Sequence, residues 1–294
     1  MWGWWTRRRP RQKCGSSNAP AGLNRHWLGA FEIEGGTWPY PSSVVLLGWP
    51  RAILMQVAHP LIAAGVLDHS TFRESAVAPI RRLHATVQAM LGLTFGDPAE
   101  RAEVIAAIRS IHTRVNGTLR TTVGRYAAGT RYSAEDPALL LWVHATLVDT
   151  TVRLYEMLAG ELTDRERDDY CRASAEVAVA LGADTEAVPR DWATMKAYVQ
   201  QVVGSDVLAV GPDGRALADA LLNSRVVRLS GPLASVTRQL TAGLLPAELR
   251  RQYGLPWDAH QEVRFNRLVG RVGTLRKWTP PSLARWRGSA LPEH

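Results

Sequence analysis

The chain has 294 residues, 46% of them hydrophobic and 21% charged, with 24 Gly, 17 Pro, 2 Cys and a formal charge of +8. That length and apolar content suit one large domain with a full core, and they exclude wholesale disorder and a collagen-like architecture. Two cysteines, Cys14 and Cys171, cannot build a disulfide scaffold or a four-thiolate zinc site. A pI near 10 raises nucleic acid or an anionic membrane as partners. The charge, however, sits at the ends. Residues 1–30 hold six bases and no acid, residues 248–294 hold nine bases against four acids, and residues 31–247 carry 20 bases against 23 acids. A nucleic-acid domain shows its excess on a folded face, so no nucleic-acid partner is expected.

The chain opens MWGWWTRRRPRQK. Indoles beside a basic run suit a membrane interface, where Trp lies at headgroup depth and cations meet anionic lipid; a disordered tail is the plainer reading. No apolar region follows the charges, so no secretory signal is read. The expected compartment is the cytoplasm, with contact at a membrane surface. The apolar stretch 44–67 is broken by Pro50, Arg51, Gln56, His59 and Pro60. A lipid-facing helix would have to bury Arg51 and His59, so a core helix starting near Arg51 and kinked at Pro60 is predicted.

Beyond residue 70 the pattern is helical nearly throughout. Pro79 precedes a helix over RRLHATVQAML. Asp97-Pro98 with Glu100 supplies a cap for a helix to about Asn116-Gly117, striped by Val104, Ile105, Ile108, Ile111 and Val115. Asp136-Pro137 opens a long helix to Gly160, Thr163 with Glu166 forms a capping box for a helix to Leu181, and Pro189 opens another to about Val203. Shorter helices follow over 215–223 and 232–242, then a turn at Pro246 and a last helix over 257–276. The expected architecture is all-α: one helical domain over 30–276, a basic, Trp-containing tail over 1–29 and a basic tail over 277–294.

HExxH, Glu-x-x-His, GxSxG, P-loop and GxGxxG patterns are all missing, which removes zincin, di-iron bundle, α/β-hydrolase, P-loop and Rossmann chemistry. Histidine is left as the main reactive candidate. His112 lies four residues after Ile108 and three before Val115, and His144 lies four after Leu140 and three before Leu147. A lone His on an apolar face is usually a hydrogen-bonded core residue. Two of them, with His59 on a third apolar helix, also match what an axial haem ligand in an apolar cavity looks like.

Four motifs occur in order: HP-x-x-AAGV-x-x-HS-x-F over 59–72, RL-x-x-T over 82–86, I-x-x-IH-x-x-V-x-G over 108–117 and DP-x-LL-x-WVHA over 136–145. With GLLPAELRRQYGLPW over 243–257, this order resembles the haem-dependent MpaB and rubber-oxygenase (latex clearing protein) family. The resemblance implies a haem b between globin-like central helices, with His112 as the axial iron ligand and His144 as a pocket residue. It also implies Arg82 and Thr86 on the distal face and Asp68 as the nearest counterpart of a proposed base. The family's distal Lys is Ala85 here and its Arg after the proximal His is Asn116; His84 is one alternative for the sixth position.

Arg82 would meet haem propionates or a developing oxygen anion, or else make a surface ion pair. Thr86, one turn on, would hydrogen-bond bound oxygen or pack in the core. His59 is read as a residue of the kink or, otherwise, of the pocket. The expected activity is O2-dependent cleavage of a C=C bond in a hydrophobic, isoprenoid-like substrate, with Asp68 or His144 moving a proton. The alternatives are a haem peroxidase or dehydrogenase-type tailoring enzyme, and a non-catalytic helical protein that binds lipid at a membrane surface.

Overall fold

The structure, a computed structural model, describes residues 32–33, 36–37, 42–69, 93, 97–223 and 231–277. Among these the protein is all-α apart from two small antiparallel hairpins, β1 (Glu32–Ile33) with β2 (Gly36–Thr37) and β3 (Asn116–Thr118) with β4 (Arg131–Ser133). The helices are α1 (Ser42–Val57), α2 (Pro60–Asp68), α3 (Pro98–His112), α4 (Pro137–Ala159), α5 (Asp164–Leu181), α6 (Trp192–Val203), α7 (Pro212–Asn223), α8 (Pro232–Leu244), α9 (Ala247–Gln252) and α10 (Ala259–Lys277).

The predicted kink at Pro60 is a full break. The axes of α1 and α2 meet at 105°, with His59 extended between them (φ −80, ψ 120). Proline has no N–H and forces its predecessor out of helical space. His59 Nδ1 accepts the Leu61 N–H at 3.2 Å and so caps α2. At the other end the expectation fails, because α1 begins at Ser42, not near Arg51, and runs through Pro50. An interior Pro costs roughly 3 kcal/mol. What outweighs it is close packing on α4: a Cβ on Gly48 would lie 2.8 Å from Thr150 Cγ2 and 3.0 Å from a Leu154 methyl.

The long α4 is the central post. Trp142, Ala145, Val148, Val152 and Leu154 are buried on it, and it packs against α1, α5, α6 and α10. Trp142 Nε1 donates to the Met55 carbonyl at 3.1 Å, which fixes the register against α1. The predicted caps hold. Asp97 and Asp136 accept from Glu100 N and Ala138 N, and Thr163 and Glu166 form a reciprocal capping box.

The last helix before the hairpin ends early. α3 stops at His112, and Asn116-Gly117 start β3. Gly117 pairs with Tyr132 so closely that a Cβ there would sit 2.5 Å from Tyr132 Oη. Hairpin pairing therefore takes over from the helix within one turn. α6 starts at Trp192, not Pro189, because Asp191 supplies the cap through the Thr194 N–H at 2.8 Å. The helix predicted after Pro79 lies outside the described residues. Among the described residues no single helix is long and apolar enough to cross a membrane.

Candidate functional site

His112 is the last residue of α3, half-buried. Its Nδ1 is buried and has no hydrogen-bond partner. Burial pushes the imidazole pKa below its ordinary value, partly opposed by the Glu135 carboxylate, so the ring is neutral and keeps a lone pair. On α4, His144 Nε2 is likewise buried and unpartnered, and burial alone lowers its pKa to about 4. Its neighbours on α4 differ. Thr146 Oγ1 donates to Val143 O at 2.7 Å and accepts from Gln56 Nε2 at 3.1 Å, while Asp149 and Thr150 bind Arg51. A buried polar atom without a partner costs about 1–3 kcal/mol. Among the described histidines, His112 and His144 alone carry one.

His59 is accounted for by the protein. Nδ1 accepts from Leu61 N, so the ring proton is on Nε2, which donates to Tyr126 Oη at 3.0 Å. Both nitrogens are therefore engaged by the fold, Nδ1 as the N-cap of α2 and Nε2 on Tyr126. Asp68, at the end of α2, accepts from Tyr132 Oη at 2.8 Å through one oxygen and from Arg120 through the other. His69 Nε2 donates to Asn116 O at 3.0 Å. The structure thus joins the 59–72 and 108–117 motifs directly, clamping α2 to the hairpin that begins four residues after His112. Arg82, Thr86, His84 and Ala85 lie outside the described residues.

A buried network lies outside the four motifs, and it makes Asp149 a buried polar partner. Arg51, 2% exposed, donates through Nη2 to Asp149 at 2.7 Å, through Nη1 to Thr150 Oγ1 at 2.5 Å and through Nε to Leu244 O at 2.7 Å. Arg153 Nε holds the other oxygen of Asp149 at 2.8 Å. Burial lowers the Arg51 pKa and Asp149 opposes the change. The available signal was one opposite charge in each of two apolar helices, since a buried charge survives only when paired. A cleft of about 800 Å³ opens beside this network, lined by Arg153, Gln200, Asp206, Glu248 and Gln252 among others; neither His112 nor His144 lines it.

Among the described residues no group of three or more His, Cys, Asp or Glu could hold a metal ion. A haem iron takes a single protein ligand on its proximal side, and a neutral imidazole with a buried, unpartnered nitrogen fits that demand. The donor set and the orphaned atoms are therefore compatible with haem.

Comparison with known proteins places these residues in context. The family model described as the ER-bound oxygenase mpaB/B'/rubber oxygenase catalytic domain matches residues 38–274. Two uncharacterized mycobacterial proteins, one from Mycobacterium bovis and one from Mycobacterium tuberculosis, are each 27% identical over 237 residues, covering 77% of this chain and 89% of theirs. No solved structure matches the chain.

Proposed function

We propose, from the premise that the chain belongs to the mpaB/rubber-oxygenase catalytic-domain family, that it is a haem b oxygenase with His112 as the axial ligand. Its substrate class is a hydrophobic, isoprenoid-like alkene, cleaved with O2 to carbonyl products. The observation that carries the reading is the neutral, half-buried His112 with its unpartnered Nδ1 at the end of α3. Haem, when bound, supplies the redox chemistry that O2 needs to attack an alkene.

The protein's own groups do the rest. α3 and the hairpin clamped by His69 and Asp68 fix the backbone at His112, whose carbonyl accepts from Val115 N at 3.0 Å. His144 offers one nitrogen that accepts and one that carries a proton, inside an apolar wall built by α4. Of the two proton-moving candidates His144 is favoured, because both oxygens of Asp68 already accept from Tyr132 and Arg120. Arg82 and Thr86 would stabilise charge developing on oxygen.

The test is spectroscopic. Protein expressed with added hemin is expected to show a Soret band, and His112→Ala to abolish or strongly shift it while far-ultraviolet circular dichroism stays unchanged. A folded wild type without a Soret band rejects haem; an unchanged band in the variant rejects the ligand. Oxygen uptake with isoprenoid alkenes then separates oxygenase from peroxide-driven chemistry.

A further inference from the structure

We propose that α10 is a docking surface for an anionic lipid bilayer. At about 100° per residue, His260, Arg264, Arg267 and Arg271 fall within one sector of roughly 60° along the helix, and all four are exposed. Val263, 46% exposed, borders the stripe. The other side of the helix is committed to the protein, with Phe265 packed so tightly on α8 that a Cβ on Gly243 would lie 2.3 Å from its ring.

Nothing on α10 neutralises the stripe. Glu262 accepts from Trp257 Nε1 at 2.7 Å and Asp258 accepts from Gln261 N at 2.8 Å. Among the described residues, Arg264, Arg267 and Arg271 take part in no ion pair. Like charges three and four apart on a helix repel, and a surface of anionic headgroups relieves that repulsion.

A bilayer suits this face better than a nucleic acid. An apolar residue borders the stripe, and the sequence that follows α10 adds Trp278, Arg285, Trp286 and Arg287, a mixture typical of the headgroup layer. α10 packs against α4 on its other side, so docking through the stripe leaves the helix core undisturbed. The proposal stands apart from the haem reading, because binding is measured without turnover.

The experiment is sedimentation of the full chain with vesicles of phosphatidylcholine alone and of phosphatidylcholine mixed with phosphatidylglycerol. Binding is expected only to the mixed vesicles, and it should weaken as salt is added. Removing one surface arginine costs about fivefold. R267Q is therefore expected to weaken binding about fivefold, and the triple variant R264Q/R267Q/R271Q on the order of a hundredfold. R267Q alone keeps the result readable if the triple variant folds poorly. Wild-type affinity in the folded triple variant overturns the proposal and moves membrane contact to the tails. Equal binding to neutral vesicles, or binding to duplex DNA but not to vesicles, overturns it as well.

Discussion

At His59 the imidazole accepts from the Leu61 N–H and donates to Tyr126 Oη, an arrangement open only to the neutral ring. Burial lowers its pKa from 6.5 to about 4, so between those values the unfolded chain binds a proton that the folded chain does not. Stability then rises with pH: the contribution is complete above about pH 6.5 and is lost as pH falls toward 4. At 4% exposure the shift corresponds to about 3 kcal/mol. His59→Asn keeps a capping oxygen and removes the titration. Urea denaturation of the variant is expected to show lower stability at pH 7.5 but a shallower loss between pH 6.5 and 4; an unchanged slope would mean that other groups set it.

The same scale shows how far single residues were legible. His112 and His144 stood out because helical periodicity set each on an apolar stripe, and each carries an orphaned nitrogen. The partners of Asp68 were invisible because Tyr132 and Arg120 lie 64 and 52 residues away, a separation on which local periodicity is silent.

Caps made the elements readable. Asp97-Pro98, Asp136-Pro137 and the Thr163–Glu166 box are local chemistry, and each opens its helix where the sequence placed it. Ends without a cap residue were harder. The stripe through Val115 continues the α3 pattern, yet the helix stops at His112, because pairing of Asn116–Thr118 with Arg131–Ser133 depends on a segment about a dozen residues further on. Gly117 is the point where that pairing can be broken. A Cβ there would sit 2.5 Å from Tyr132 Oη and 2.7 Å from its Cζ, forcing the ring off Asp68. Gly117→Ala is expected to cost about 1–3 kcal/mol, read in urea denaturation, and to increase amide exchange in the hairpin before it affects α4 or α5.

Across the whole molecule, Arg51 joins parts that are far apart in the chain, reaching Asp149 and Thr150 on α4 and the last carbonyl of α8. Arg51→Met leaves Asp149 with only the partly exposed Arg153, and such unpairing costs about 3–5 kcal/mol. Replacing both partners, Arg51→Met with Asp149→Leu, is expected to recover most of that loss, because the pair's own desolvation disappears with it. Equilibrium denaturation of the single and double variants decides the point; a double variant as unstable as Arg51→Met would assign the effect to packing. The all-α class and most helices were legible from composition and caps. How those helices pack was not, since charges in two separate apolar helices meet only after folding.

The 105° corner at His59 also sets how the longest apolar stretch of the chain is laid out. Laid straight, residues 44–67 would offer secretory machinery an apolar segment about as long as a bilayer is thick. The corner divides it into two arms, each too short to cross, and α2, the shorter, runs only from Pro60 to Asp68. Two adjacent residues, His59 and Pro60, thus decide whether this apolar stretch is presented as one segment or as two.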